Sequence, residues 1–509
     1  MLRRTILALA VLGTLAARPP VSTPPLDLWT PVMGKIRDQS TLHERIVLHG
    51  GYAEVYYDSE IGAAKWGDDK DSPPPHAIVT GGTIRIHGYL ATPVIGCPCP
   101  GVVIGHGHGG RGSKDMALAL AALGYVALSI DGPGQGKSTG PSDSEQRWIS
   151  VEESINEPAP EVGYLYHYAY AGMRGLTLLQ KLSRRPFNPF RIDKNRLGVI
   201  GASMGGQFTY MINGVDDRVK GAVAIAVAGD WENVITHTDG AWLYHGLYYY
   251  TRDGLASQQD ALNTISDVCT DPTMGTFLGY FDPIQYAPTQ HAPLLTIIGS
   301  HDQYFNLPAI NTTYDRLPDD SATSRYLKRL MITSNGKHGV INENDLLPTL
   351  QPVLANIDRW FRYSFRNGPT PPATPTVTVA VDGDRLVFRV QAPPGNGSIT
   401  SVRIHFATQV DTHPQAPGDF ASLKLAPVGN HVYEGSLPIG TAPPSGPPVS
   451  PDNVLFYAAV EDSALYTISS KLYYQDREMD FESGFMPSIE HYPKDDYEVQ
   501  PSPPACEAP

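Results

Sequence analysis

The feature that most constrains this chain is a strand that runs straight into a glycine turn. Arg196 to Ile200 (RLGVI) is an apolar run, followed without a spacer by Gly201-Ala202-Ser203-Met204-Gly205-Gly206 and a helix-compatible segment. G-x-S-x-G in that position is a sharp strand-to-helix turn, so tight that the residues two before and two after the serine must lack bulky side chains. Ser203 at its apex is exposed, and the N-terminus of the helix behind it stabilises negative charge nearby. The same five letters elsewhere in a chain mean little; between a Val/Ile strand and a helix they are specific.

The surrounding sequence has the alternation such a turn requires. From Gly101 to about Phe365 the strands GVVIGH, YVALSID, RLGVIG, GAVAIAVAG, PLLTIIGS and RLMITS are separated by helical patterns, among them Asp115 to Leu123, Tyr164 to Leu182 and Gln207 to Asn213. Continuous Val/Ile/Leu strands joined by helices predict an α/β fold, a doubly wound, mostly parallel sheet covered on both faces. Residues 27–95 carry shorter alternating segments such as TIRIHGYL (Thr83 to Leu90), which read as antiparallel strands. With 509 residues, two or three domains are expected. Residues 27–365 form the predicted α/β domain, with cap or lid insertions at about 138–170 and 229–282. A Pro-rich linker (366–376, RNGPTPPATPT) leads to period-two segments (TVTVAV, RLVFRV, SVRIHF, VLFYAAV) that predict a small C-terminal β-sandwich over 377–480. Residues 481–509 read as a tail.

A serine hydroxyl is a poor nucleophile unless a base takes its proton and a third group orients that base. After a G-x-S-x-G elbow the acid and then the histidine follow in chain order. Strand PLLTIIGS ends at His301-Asp302-Gln303, and RLMITS is followed by Asn335-Gly336-Lys337-His338-Gly339. Ser203, Asp302 and His338 are therefore the candidate nucleophile, acid and base. Asp230, after AVAIAVAG, is the rival acid. His301 precedes Asp302 at the strand end and receives no proton-transfer role.

The loop Gly105-His106-Gly107-His108-Gly109-Gly110 admits two readings. Gly105, Gly107 and Gly110 satisfy G-x-G-x-x-G after a strand, and Asp131 follows at the end of the next strand, as in a dinucleotide-binding unit. The same residues approach the HGGG-type turn that supplies an oxyanion-hole donor. The nucleotide reading leaves Ser203, Asp302 and His338 unused, whereas the oxyanion reading uses all of them. The expected donors are the N–H of Met204 and that of His108, with Gly109 as second choice. Asp131-Gly132-Pro133-Gly134-Gln135-Gly136-Lys137-Ser138 ends like a P-loop, but Asp131 stands where the first glycine is required.

Composition removes other classes. The formal net charge of −14, from 38 Lys+Arg against 52 Asp+Glu, argues against nucleic acid as a partner. No apolar run reaches the roughly 18 residues of a membrane span, so no integral membrane segment is expected in the mature chain. Residues 1–17 (MLRRTILALAVLGTLAA) have the basic, apolar and small-residue regions of a cleaved signal peptide, so the protein is expected to be secreted or periplasmic. Cys97 and Cys99 are too close to favour bridging each other; pairing with Cys269 or Cys506 stays open. No second Cys or His pair stands at ligand spacing, and no metal is expected.

HGHGG, DGPGQGKS, GASMGG, GSHDQYF and the GKHG histidine, in this order, resemble the α/β-hydrolase superfamily over about residues 80–365. Within it the chain is similar to exported esterases: acetyl xylan esterases, dienelactone-hydrolase-like proteins and PhoPQ-activated pathogenicity-related proteins, the last also carrying a β-rich segment after the core. The resemblance implies a serine esterase that cleaves small-molecule or polysaccharide esters and needs no cofactor. A prolyl-oligopeptidase-like secreted peptidase and a non-catalytic binding protein on a hydrolase fold are the alternatives. Trp148, Trp231, Trp242 and Tyr244 lie in the predicted insertions, where aromatic rings either bind substrate or pack the cap. All triad candidates precede residue 340, so a chain ending near Asn367 is expected to keep the constellation.

Overall fold

The computed structural model describes residues 24–66, 78–94, 98–140, 160–187, 189–236, 278–302, 304–321, 323, 325–342, 345–366, 368–409 and 418–483. Two short helices, α1 (Pro24–Trp29) and α2 (Met33–Arg37), lead into β1 (Arg45–Leu48) and β2 (Tyr52–Asp58). A small hairpin, β3 (Ala64–Trp66) and β4 (Ile78–Thr80), stands apart, and β5 (Arg85–Ala91) pairs antiparallel with β2. The alternating part then follows as β6 (Cys99–Gly105), α3 (Lys114–Ala122), β7 (Val126–Ile130), α4 (Tyr164–Ser183), β8 (Ile192–Ala202), α5 (Met204–Val215), β9 (Val219–Ile225) and α6 (Trp231–Thr236). After α7 (Pro283–Tyr286) come β10 (Leu294–Gly299), α8 (Leu307–Arg316), β11 (Lys328–Thr333) and the long α9 (Leu346–Arg366).

Strands β7, β6, β8, β9, β10 and β11 lie side by side in that order and all run parallel. Their sequences are apolar on both faces because both faces are covered. Val102 and Ile104 of β6 point into a core with Ala117 and Leu120 of α3 and Trp360 and Phe361 of α9. Val103, between them, points into the opposite core with Tyr168 and Leu176 of α4 and Phe208 of α5. At the N-terminal side the fully buried Arg174 of α4 donates to the carbonyls of Ile36 and Asp58, tying α2 and the end of β2 to the sheet. Arg174 also donates to the Lys35 and Asp38 carbonyls and to Thr41 Oγ1, so the buried cation has acceptors on every side.

The C-terminal strands are β12 (Thr376–Asp382), β13 (Arg385–Gln391), β14 (Ile399–Thr408), β15 (Ala421–Lys424), β16 (Ala426–Gly429), β17 (Val432–Pro438), β18 (Val454–Asp462) and β19 (Thr467–Ser469). They form a sandwich, but only the sheet β12-β13-β17-β16 is separate. The other layer, β19-β18-β14-β15, continues the central sheet past β11, joined where Leu330 of β11 pairs antiparallel with Ser469 of β19. Strand β18 is consequently buried on both faces. Phe456 and Val460 face the sandwich core with Phe388 and Ile404, while Leu455, Tyr457 and Ala459 join the core of the α/β part.

Candidate active site

The carboxyl ends of adjacent parallel strands gather the candidate residues on one edge of the sheet, the place where open α/β folds bind ligands. Register fixes which ends are neighbours: Ala202 of β8 stands beside Ile225 of β9, and Gly299 of β10 beside Thr333 of β11. Ser203 leaves β8 with φ 58° and ψ −122°, a strained backbone for a residue with a side chain. Its N–H bonds the Ile225 carbonyl at 2.9 Å, and its own carbonyl accepts from Gly206 at 2.7 Å, so the surrounding ladder and helix hold the turn. A Cβ on Gly205 would overlap the Gly105 carbonyl, which is why α5 approaches the end of β6 only with glycine there.

The acid and the histidine sit on two loops stitched together by backbone. Ser300 N–H bonds Thr333 O at 3.0 Å and His301 N–H bonds Gly336 O at 2.8 Å. Asn335, itself at φ 58°, donates its N–H to Ser300 Oγ at 2.8 Å. On this platform His338 Nδ1 faces both oxygens of Asp302, at 3.1 Å and 2.9 Å, and His338 Nε2 lies 2.8 Å from Ser203 Oγ. A carboxylate only accepts, so Nδ1 carries the proton and Nε2 is the acceptor for the serine hydroxyl. Asp302 Oδ1 also accepts the N–H of Tyr304 at 2.9 Å and of Phe305 at 3.1 Å. Asp302 is buried, while Ser203 remains half-buried and His338 partly open. The rival Asp230 stands at φ 63° and accepts from the Asn233 amide at 2.8 Å.

The structure is a mixed α/β fold with a large, mostly parallel central sheet and a second, small antiparallel sheet. The family model described as PhoPQ-activated pathogenicity-related protein matches residues 159–412. Among solved structures, the acetyl xylan esterase from Paenibacillus sp. R4 is similar at 18% identity, covering 66% of this chain and 94% of that one, with a TM-score of 0.46. Acetyl xylan esterase 1 from Thermoanaerobacterium sp. JW/SL YS485 is similar at 16% identity over 60% of this chain and 86% of that one, with a TM-score of 0.40. The Pyrococcus furiosus esterase Pf2001 is similar at 16% identity over 61% and 92%, with a TM-score of 0.35. No curated protein matches the chain.

The glycine loop lies against the serine. A Cβ on Gly107 would stand 3.4 Å from Ser203 Cβ and 3.9 Å from its Oγ. Gly110 N–H closes a turn onto Gly107 O at 3.0 Å, with Gly109 exposed at φ 64°. Met204 opens α5, where a helix leaves its first N–H groups without an intrahelical acceptor. Asp131, the acid of the dinucleotide pattern, is buried and its carboxylate accepts from Gly112 N–H at 2.7 Å, Lys137 N–H at 2.9 Å and faces His87 Nδ1 at 2.7 Å. It braces the DGPGQGKS loop against the glycine loop.

Two residues beside the site receive no role from the sequence, although Tyr304 lies within GSHDQYF. Tyr304 lies against His338, and Tyr168 brackets the His106 peptide, accepting from its N–H at 2.6 Å and donating to its carbonyl at 3.0 Å. The only sequence signal for Tyr168 is its spacing from Tyr164 on α4, within GYLYHYAY. The helix expected over Tyr164 to Leu182 forms as α4, and Tyr164, Tyr166, Tyr168 and Tyr170 in its first turns are buried in the core. Trp231 is buried too, its indole N–H bonding Ala228 O at 2.9 Å. Trp148, Trp242 and Tyr244 lie outside the described residues, as do residues 1–17, Cys97, Cys269 and Cys506. Cys99 is disulfide-bonded. Among the described residues no helix is long and apolar enough to cross a membrane, and no group of three His, Cys, Asp or Glu side chains is placed to hold a metal ion.

Proposed function

We propose that the protein is an exported serine hydrolase of carboxylic esters, acting on acetyl, aryl or carbohydrate-linked groups through an acyl-enzyme. The observation that carries this reading is the continuous path from Ser203 Oγ to His338 Nε2 and from His338 Nδ1 to the Asp302 carboxylate. Ser203 Oγ attacks the acyl carbon while its proton passes to His338 Nε2. The imidazolium so formed is oriented and stabilised by Asp302, which stays ionised. The carbonyl oxygen, now negative, takes the N–H of Met204 and that of His108. Collapse breaks the bond to the alcohol oxygen, which leaves with the proton from His338. A water then repeats the sequence on the acyl-enzyme, losing its proton to His338, and releases the acid with Ser203 restored.

The disulfide at Cys99 and the leader at residues 1–17 support export, because disulfides persist in oxidising compartments. The C-terminal sandwich is proposed to brace the histidine loop: Asn335 donates its side-chain amide to Phe420 O at 3.1 Å and accepts Phe420 N–H at 2.7 Å. The deciding experiment is hydrolysis of p-nitrophenyl acetate, feruloyl esters and acetylated xylan by the purified protein and by Ser203→Ala. Loss of ~10³-fold or more in kcat with unchanged thermal unfolding is expected. Turnover that persists in Ser203→Ala would remove the assignment.

A further inference from the structure

The N–H of His108 belongs to a peptide whose direction is set by the residue two places before it. Gly132 N–H donates to His106 Nε2 at 2.8 Å, so Nε2 must be the unprotonated nitrogen of that ring. The ring proton therefore sits on Nδ1, which lies 2.7 Å from Gly107 O and donates to it. Gly110 N–H holds the same carbonyl from a second direction at 3.0 Å. In a trans peptide the carbonyl and the following N–H point opposite ways. Fixing Gly107 O toward His106 and Gly110 thus turns the His108 N–H away from them.

His106 is itself clamped. Its N–H and carbonyl are both bonded to the Tyr168 hydroxyl, and the two rings lie with centroids 5.0 Å apart. A Cβ at position 132 would stand 2.9 Å from His106 Nε2, so glycine there lets the main-chain donor reach the ring. The first histidine of HGHGG thus has a main-chain donor on one nitrogen and a main-chain acceptor on the other. That leaves the ring one tautomer and the Gly107–His108 peptide one orientation.

We propose that His106 is a positioning residue that presets the His108 N–H as an oxyanion donor, an inference that rests on the serine-esterase reading above. Preorganised donors matter most where charge develops, so the effect falls on the transition state rather than on substrate binding.

The two amide replacements separate the two ring nitrogens. His106→Asn keeps an N–H attached at Cγ, where Nδ1 was, and loses the acceptor for Gly132. His106→Gln keeps an acceptor at the Nε2 position and loses the donor to Gly107 O. With p-nitrophenyl acetate, His106→Gln is expected to lose ~10²-fold in kcat with KM within about twofold, the size of a lost oxyanion donor. His106→Asn should stay within ~10-fold of the parent, and Tyr168→Phe, which only unclamps the peptide, should fall between. Inhibition by an aryl trifluoromethyl ketone, whose Ser203 adduct places an oxyanion in the hole, should weaken in step with kcat/KM. Equal impairment of Asn and Gln, a loss confined to KM, or unchanged inhibition would overturn the proposal while leaving the esterase assignment standing. If His106→Gln fails to fold, Tyr168→Phe decides the question through the kcat-to-KM split. Turnover surviving Ser203→Ala would remove both readings.

Discussion

The ring of Tyr304 lies against the imidazole of His338, centroids 4.4 Å apart and planes at 49°. The contact packs against the imidazole and helps hold its Nε2 at 2.8 Å from Ser203 Oγ. Tyr304→Leu should therefore lower kcat a few-fold, because the imidazole loses the ring packed against it. Tyr304→Phe, which keeps the ring, should match the parent. Steady-state kcat for the three proteins is the test, and equal values in all three would refute the contact's role.

The two carboxylates that compete for the acid role are separated by their partners. Asp302 spans the His338 Nδ1–H with both oxygens, whereas the Asp230 carboxylate accepts from the amide of Asn233. Asp302→Asn should cost ~10⁴-fold in kcat, because an amide facing Nδ1 favours the wrong tautomer. Asp230→Asn should cost less than about tenfold. Reversal of that ranking in single-turnover acylation would move the acid to the end of β9.

Asp282 offers a signature in stability rather than rate. Its carboxylate is fully buried and accepts N–H bonds from Asp230 at 3.1 Å, Trp231 at 2.7 Å and Ile284 at 3.0 Å, capping α6 and α7 together. Burial pushes this acid up to about 7 from its ordinary 3.8, and nearby Asp230 pushes the same way, against the pull of the three donors. A raised folded-state value means that the folded protein holds the proton more tightly than the unfolded chain. The contribution is complete below about pH 4 and is lost as pH rises toward 7, at no more than about 1.4 kcal/mol per pH unit. The difference in urea unfolding free energy between the parent and Asp282→Asn should change across that window and flatten above it. A pH-independent difference would contradict the assignment.

Gly205→Ala and Gly109→Ala should separate crowding from backbone strain. A Cβ on Gly205 overlaps the Gly105 carbonyl and comes within 3.0 Å of His106 O, so the start of α5 and the end of β6 must part. Destabilisation of about 1–3 kcal/mol with loss of turnover is expected. Gly109 has open space around its Cβ position and only its φ of 64° to resist substitution, about 1 kcal/mol. Denaturant unfolding beside esterase assays checks both, and equal costs would contradict the geometry.

Every triad candidate precedes residue 340, but β11 and the histidine loop are held by residues beyond 367. Against the expectation from the sequence, a chain ending there should not behave as a free-standing enzyme. The cut removes β19 from the edge of β11, where Ile332 N–H bonds Ser469 Oγ at 2.9 Å, and leaves Asn335 without Phe420. It also uncovers Asn311, whose amide donates to Leu472 O and Met479 O, both at 2.8 Å, together with the apolar residues that Leu455 and Tyr457 cover. The shortened protein is expected to aggregate or to unfold at lower temperature, since an exposed apolar edge strand invites association. A soluble, folded and fully active product would show that these contacts are dispensable.

Much of the site was legible because local chemistry demanded particular letters. The elbow needed small residues around Ser203, the strands needed continuous Val, Ile and Leu, and the acid and histidine had to follow strand ends. The predicted strands from GVVIGH to RLMITS all form within a few residues of where the apolar runs lie, since burial on both faces leaves little choice of composition.

What only the tertiary structure decided is what depends on partners far away in the chain. VLFYAAV reads as a two-faced strand, but nothing in it tells that one face packs on the sandwich and the other on the α/β core. GYLYHYAY reads as an aromatic cluster, and its burial under α5 and the bond from Tyr168 to His106 arise from how α4 docks. The tautomer of His106 is set by Gly132, 26 residues on, and the placement of the His338 ring by Ser203 and Asp302 across 135 and 36 residues. Sequence specifies which groups can donate, accept or pack, because those are properties of single side chains and short periods. Which donor meets which acceptor is set by strand register and helix docking, because a hydrogen bond depends on distance and angle that only the assembled sheet supplies.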